Sequence, residues 1–324
     1  MIAPRVEHQH AHAHRLPEAR YSASMSIDPR LRCLAAGVFA LVVSLIADAA
    51  FAHTNSGATS GVFSTWDIDL AGVSVLALLA VVYANGQRQL RARARGHRST
   101  GAACFWGGWL ALVLALSPPI DTLSAVSFAV HMTQHEIVML VAAPLLVMAR
   151  PQGTLLWGLP RMAGALVTSR PLRRAGAWMA TPLTAWLLHA IVLWGWHVPD
   201  AFDASLRSTP LHWLQHTSFF AVAAIYWWSV LAAGPRGERR GVALLSVFTT
   251  AVHTTVLGAL LTFSTTVWYP TYARVERPWG LGAIDDQQLG GLIMWVPGGV
   301  VFLIAGLALA ALWLKESEVR AARG

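Results

Sequence analysis

The sequence predicts an all-α integral membrane protein, in which a bundle of seven transmembrane helices follows a signal-like segment. Of its 324 residues, 55% are hydrophobic and only 12% are charged, about half the charged fraction of a soluble protein. Apolar runs of about 20 residues, the length that spans a bilayer, recur along the chain. None of them alternates as barrel strands do, so helices must satisfy the backbone hydrogen bonds in lipid.

A histidine-rich leader containing the tract HQHAHAH opens the chain. Arg30 and Arg32 then precede an apolar run that ends in ADAAFA, the pattern of a secretory signal peptide. Residues 1–52 are therefore predicted to be a cytoplasmic leader plus a signal peptide or, alternatively, a first span that stays in place as an eighth helix. Residues 53–67 are predicted to form a periplasmic segment.

The predicted membrane domain covers residues 68–314, and residues 315–324 form a short cytoplasmic tail. Strong apolar character and the absence of long polar stretches leave no room for a separate soluble domain. The seven predicted helices lie near residues 68–85, 102–118, 129–149, 182–197, 211–233, 242–266 and 290–314.

Basic residues occupy every second loop, at 88–98, 150–174 and 236–240, and they return in the tail. The positive-inside rule places these loops and the C-terminus in the cytoplasm, and the acid-rich loops in the periplasm. The net charge of +8 therefore records topology and does not indicate a nucleic-acid partner. Two widely separated cysteines, with no CxxC pair, argue against a disulfide framework or a thiolate metal site.

Histidines converge at the predicted outer ends of three helices. His131 and His135 lie one turn apart on the third helix, and His212 and His216 repeat this spacing on the fifth. Because residues four apart share one helix face, the two pairs can face each other across a bundle. His197 closes the fourth helix on the same side. Imidazole nitrogens in this arrangement suit copper, zinc or iron.

Other side chains complete the predicted metal site. The thioethers of Met132 and Met294 would favour cuprous ion, and the carboxylate of Asp286 could orient a histidine ring. The candidate metal residues are His131, His135, His212, His216, Met132, Met294, Asp286 and His197.

Two local features are expected near the third helix. Pro144 should kink this helix and free a backbone carbonyl, because proline has no N–H. The basic loop at 150–180 contains tryptophan and leucine among its arginines and is expected to hold a helix at the membrane surface.

Five motifs in order along the chain resemble the CtaG family of cytochrome c oxidase assembly proteins, over about residues 62–315. The motifs are HMTQHEIVMLVAAPLLVMARP, WGWHVPDAFDASL, LHWLQHTSFFAVAAIYWW, LGALLTFSTTVWYPTY and DDQQLGGLIMWVPGG. Arg150 departs from the small residue expected there. The family's polar positions correspond to His131, Met132, Gln134, His135, His197, His212, His216, Asp286, Gln287 and Met294.

The resemblance implies a multi-pass protein of the bacterial inner membrane that is not an enzyme. It would bind copper at the periplasmic face, accept it from a periplasmic donor and help form the copper centre of the oxidase catalytic subunit. Three alternatives remain open from the residues. They are a metal-free assembly scaffold, a membrane zinc hydrolase with an open ligand position, and a haem protein using His189 and His253. The oxidation state of the metal and the oligomeric state also stay open.

Overall fold

A computed structural model describes residues 69–92, 99–160, 163–165, 168–231, 237–275 and 279–321. Within these ranges the chain is helical and contains no strand, which confirms the all-α prediction. The predicted leader, the signal peptide or first span, and the whole predicted periplasmic segment lie outside the described residues.

Helices occupy most of every predicted apolar segment, although residues 116–118 and 263–266 are turns or irregular chain. In chain order they are α1 Leu70–Ala92, α2 Ser99–Ala115, α3 Ile120–Ser124, α4 Phe128–Glu136, a π-helix Ile137–Ala142, α5 Ala143–Ala149, α6 Gln152–Gly158, α7 Arg170–Met179, α8 Pro182–His197, α9 Pro199–Arg207, α10 Thr209–Leu231, α11 Gly237–Thr262, α12 Pro270–Ala273 and α13 Ala283–Ala321.

Several of these helices are suited to a membrane. Four are long and apolar enough to cross one, namely Leu70–Ala92, Phe128–Ala149, Arg240–Thr262 and Ala283–Val319. The bent pair α7 and α8, whose axes differ by 78°, provides a fifth candidate if it counts as one span. The chain is thus a helical membrane protein, and the count of seven spans stays a prediction.

The third predicted helix changes its winding near its middle. The N–H of Ala143 bonds to the carbonyl of Val138, five residues earlier, as in a π-helix. The next N–H in this pattern would belong to Pro144, which has none, so the carbonyl of Met139 loses its donor. The indole Nε1–H of Trp227, on α10, donates to that carbonyl at 2.9 Å. The freed carbonyl expected from Pro144 is therefore present, and a neighbouring helix satisfies it.

Small residues allow close helix contacts at two places. Gly258 of α11 lies against α13, where a Cβ would come within 2.9 Å of the carbonyl oxygen of Gly291. Gly86 of α1 and Gly158 of α6 also leave no room for a Cβ, because each faces a backbone carbonyl of the other helix, that of Thr154 and of Val82. The C-terminal half of α1 is therefore held tightly against α6.

This contact predicts that Gly158→Ala destabilises the protein by about 1–3 kcal/mol, because the new methyl group must push the two backbones apart. Gly153→Ala is the matched control on the same helix, since a Cβ there meets nothing within 4 Å. The free energy of unfolding of both variants in detergent would be compared with that of the wild type. Equal effects of the two substitutions would contradict the tight α1–α6 contact.

Candidate metal centre

The structure brings the two predicted histidine pairs together. His131 and His135 project from α4 towards His212 and His216 on α10, with ring centroids 5.4 Å apart for His131 and His212 and 5.2 Å apart for His135 and His216. One ligand nitrogen from each of His131, His212 and His216 lies within 4.8 Å of the others. Three imidazoles from two helices thus surround a space of the size that one ion occupies.

Tyr272 fixes the ring of His131. Its hydroxyl donates its one hydrogen to the carbonyl of Ser124 at 2.6 Å, so towards His131 the same oxygen can only accept. The 2.9 Å contact between Nδ1 of His131 and this oxygen therefore has Nδ1–H as its donor. Nε2 of His131 then carries a lone pair that points into the cluster. Metal-binding histidines are held by outer partners in the same way.

His135 lies directly behind His131. The two Nε2 atoms are 3.0 Å apart, so Nε2–H of His135 can donate to the lone pair of His131. Two nitrogens bound to one tetrahedral zinc-like ion would be about 3.3 Å apart, close to this distance. With its proton moved to Nδ1, His135 would offer a second lone pair at the same point.

Asp286 anchors the helix that carries this first histidine pair. Its Oδ1 accepts from Ser127 Oγ at 2.6 Å, and its Oδ2 accepts from the N–H of Phe128 at 2.7 Å. The N–H of Ala129 adds a longer bond of 3.3 Å to Oδ1. Both carboxylate oxygens are thus engaged at the start of α4, where unpaired N–H groups and the helix dipole favour an anion. A role for Asp286 as a direct metal ligand stays a prediction.

Asp121 borders the second histidine pair. Its Oδ1 lies 4.0 Å from Nε2 of His212 and accepts a 2.9 Å bond from the side-chain amide of Gln134. Burial raises the pKa of this carboxyl group above its ordinary value, and the bond from Gln134 and the nearby His212 partly oppose that rise. Gln134 also donates to the carbonyl of Ala115, so it ties α4 to the end of α2.

His197 has a suitable tautomer but stands outside the three-histidine group. Its Nδ1 donates to the carbonyl of Leu193 at 2.7 Å, which leaves a lone pair on the buried Nε2. The aromatic rings of Phe202 and Phe219 pack against it. Its place among the metal ligands stays a prediction.

The two predicted thioether ligands pack in the apolar core. Met132 is fully buried, and its Cγ faces α13, 3.2 Å from where a Cβ of Gly290 would stand. Met294 belongs to the same core. Gln287 serves the loop before α12, where its Oε1 accepts from the N–H of Trp268 at 2.7 Å.

A separate histidine pair lies deeper between the helices. His189 of α8 and His253 of α11 have ring centroids 5.8 Å apart, and the indole N–H of Trp194 approaches Nδ1 of His253 at 3.4 Å. His189 is eight residues before His197, which corresponds to about 12 Å along the helix. These two histidines are distinct from the cluster of His131, His135, His212 and His216, and the haem alternative that used them stays a prediction.

Two contacts of the site, those of Tyr272 with His131 and of Asp121 with His212, were not predicted from the sequence. Tyr272 ends the motif LGALLTFSTTVWYPTY, but nothing in its spacing indicated a bond to His131, 141 residues away. Asp121 lies in one of the acid-rich loops, and nothing in its spacing indicated a position at the site. Its position beside His212 follows from the packing of α3 against α4, which a periodic pattern does not encode.

The apolar helices define a helical membrane protein, and its histidine cluster is a group that could hold a metal ion. The chain belongs to the Caa3_CtaG family, described as the cytochrome c oxidase caa3 assembly factor, whose pattern matches residues 81–316. This confirms the family resemblance seen in the sequence, and it identifies the chain as a member of a family of oxidase assembly factors.

Curated relatives include uncharacterized proteins of three mycobacteria. Those of Mycobacterium bovis and Mycobacterium tuberculosis are each 27% identical to the chain over 273 residues, and that of Mycobacterium leprae is 28% identical over 276 residues. Each match covers 81% of this chain, which spans about two fifths (41%) of the length of these relatives. No solved structure matches the chain.

The anchoring of α4 predicts that Asp286→Asn destabilises the protein by about 2–3 kcal/mol, since hydrogen bonds to a charged acceptor are lost. Asp285→Asn is the matched control, because Asp285 lies in the same first turn of α13 but is exposed. Both variants lose one charge at the helix start, so their difference isolates the bonds to α4. Equal free energies of unfolding for the two variants would count against the anchoring role.

Proposed function

We propose that this protein carries a copper ion for cytochrome c oxidase assembly, and that His131, His212 and His216 hold the ion with His135 beside them. The observation that supports this most directly is the approach of three histidine nitrogens to within 4.8 Å of one another. Membership of the oxidase assembly family is consistent with a function of this site in oxidase assembly.

The residues fit a metal ion in a second respect. Among the residues that the structure describes, Nε2 of His216 is buried and makes no hydrogen bond. A buried polar atom without a partner costs about 1–3 kcal/mol. A cation satisfies the lone pair of a neutral imidazole, and histidine nitrogens are good ligands for copper. Met132 and Met294 are secondary candidates, because they pack in the core.

The proposed direction of transfer rests on topology. The distribution of arginines supports a periplasmic position for the histidine cluster and a cytoplasmic position for the C-terminus. The protein would accept copper from a periplasmic donor and pass it, by exchange of ligands, to the catalytic subunit of the oxidase. Transfer requires no bond-making chemistry beyond ligand exchange, which agrees with a function other than catalysis.

A zinc hydrolase is the second candidate, and one observation favours it. Three histidine nitrogens stand near a carboxylate, since Asp121 lies 4.0 Å from His212, and such sets can activate a water on zinc. Zinc in the purified protein, together with hydrolysis of a lipid amide, would support this candidate and contradict the copper carrier.

Replacement of the ligands should remove the metal. We expect about one copper ion per chain in protein purified from copper-supplemented cells, and at least about a tenfold loss in His131→Ala and His216→Ala. His253→Ala, in the deeper pair, is the control and should retain its copper. Elemental analysis of the three variants measures this. Equal copper in all of them would contradict the proposed ligands.

The partner of His131 should tune the affinity of the site. Tyr272→Phe removes the acceptor of Nδ1–H, and loss of such an outer partner lowers metal affinity by about 10- to 100-fold. Competition with a chromophoric cuprous chelator would measure the dissociation constant. Tyr269→Phe is the control, because the hydroxyl of Tyr269 donates to the backbone carbonyl of His197 and not to a cluster histidine. Unchanged affinity in Tyr272→Phe would contradict the assigned role.

A further inference from the structure

We infer that the cavity between α1 and α10 is the route by which the ion reaches and leaves the histidines, with His212 and His216 as the ligands that exchange first. This inference rests on the proposed metal function, and it adds a path and an order to it.

The cavity opens on one histidine pair alone. It has a volume of about 500 Å³ and lies between the N-terminal halves of α1 and α10 and the C-terminal end of α2. His212 and His216 are among its lining residues, whereas His131 and His135 are not. An ion in the cavity therefore meets the α10 pair before the α4 pair.

The α4 pair is enclosed from the other directions. The side chain of His131 is fully buried and that of His135 is 4% exposed. The ring of Phe202 packs 5.0 Å from His131, and that of Phe219 packs 4.5 Å from His135. The hydroxyl of Tyr272 contacts Nδ1 of His131 through a hydrogen bond. Passage past these packed rings would require them to move, whereas the cavity side is already open.

The charges along the cavity suit a cation. The carboxylates of Asp69 and Asp121 line it, and acids beside apolar walls attract positive ions. Arg207, the basic residue of the lining, pairs with the carboxylate of Asp203 at 3.1 Å. The opposing positive charge is thereby neutralised, and a cation is favoured at the approach to His212.

The size of the cavity indicates in what form the ion travels. Six water molecules at about 30 Å³ each occupy about 180 Å³, so a hydrated ion fills less than half of the space. The remaining volume admits a small ligand or the metal-binding side chains of another protein. The ion can thus arrive with part of its former ligand set and lose it stepwise to the histidines.

A tryptophan placed in the cavity should slow exchange without changing the ligands. Val75 lines the cavity and is 43% exposed, whereas Val73, on the same helix and 42% exposed, does not line it. Cuprous ion would be supplied as its bicinchoninate complex and removed with bathocuproine, and the absorbance followed in time. We expect Val75→Trp to slow both steps about tenfold at unchanged stoichiometry, and Val73→Trp to behave as wild type.

The possible outcomes distinguish a failure of the proposed route from a failure of the proposed metal function. Wild-type rates in Val75→Trp, at a native melting temperature, would overturn the route. A loss of bound copper in the folded variant would also overturn it, because a blocked path changes rates and not affinity. If the wild-type protein takes up no cuprous ion, the proposed metal function itself fails.

A second measurement applies even if Val75→Trp does not fold. Thr217 lines the cavity on α10, and Leu214 on the same helix is 55% exposed and does not line it. In a background lacking Cys33 and Cys104, a charged thiosulfonate should modify Thr217→Cys quickly and Leu214→Cys about tenfold more slowly, because the cavity admits water whereas lipid around an exposed helix face excludes it. Equal reactivity of the two cysteines, or no reaction at residue 217, would overturn the route.

Discussion

The carboxylate of Asp286 joins the start of α13 to the start of α4, and the geometry of the whole cluster depends on that junction. It gives the first N–H groups of α4 a charged acceptor in a place where lipid and protein offer few others. With the helix start fixed, His131 and His135 are fixed in height and direction. The hydroxyl group of Tyr272 then sets the tautomer of His131.

The sequence predicted those parts of the site that follow from periodicity and charge. The spacing of His131 and His135, repeated at His212 and His216, and the alternation of arginines were sufficient to place the two pairs together. Met132 follows His131 directly on α4. Adjacent residues on a helix point about 100° apart, so the two side chains take different directions. Met132 accordingly faces α13.

Contacts between distant segments could not be predicted in this way. Pro144 indicated that a carbonyl would be freed, but not that Trp227, 88 residues from Met139, would donate to it. Asp286 was expected near the site, yet its engagement with backbone N–H groups depends on the junction of two helices. The bond between Tyr272 and His131 likewise follows from tertiary packing. A single sequence gives the identity of these residues, but it does not show which residues they contact in the folded protein.

The π-helix has a consequence for how one helix can serve two neighbours. A π turn holds one residue more than the α turn it replaces, so the segments on either side of Ile137–Ala142 are offset in rotation by about 100°. The segment before the π-helix packs on α13 and directs its histidines at α10, while the segment after it packs on α2 and on α10. The inserted residue thus lets one helix present its histidine-bearing half to α13 and its other half to α2 and α10.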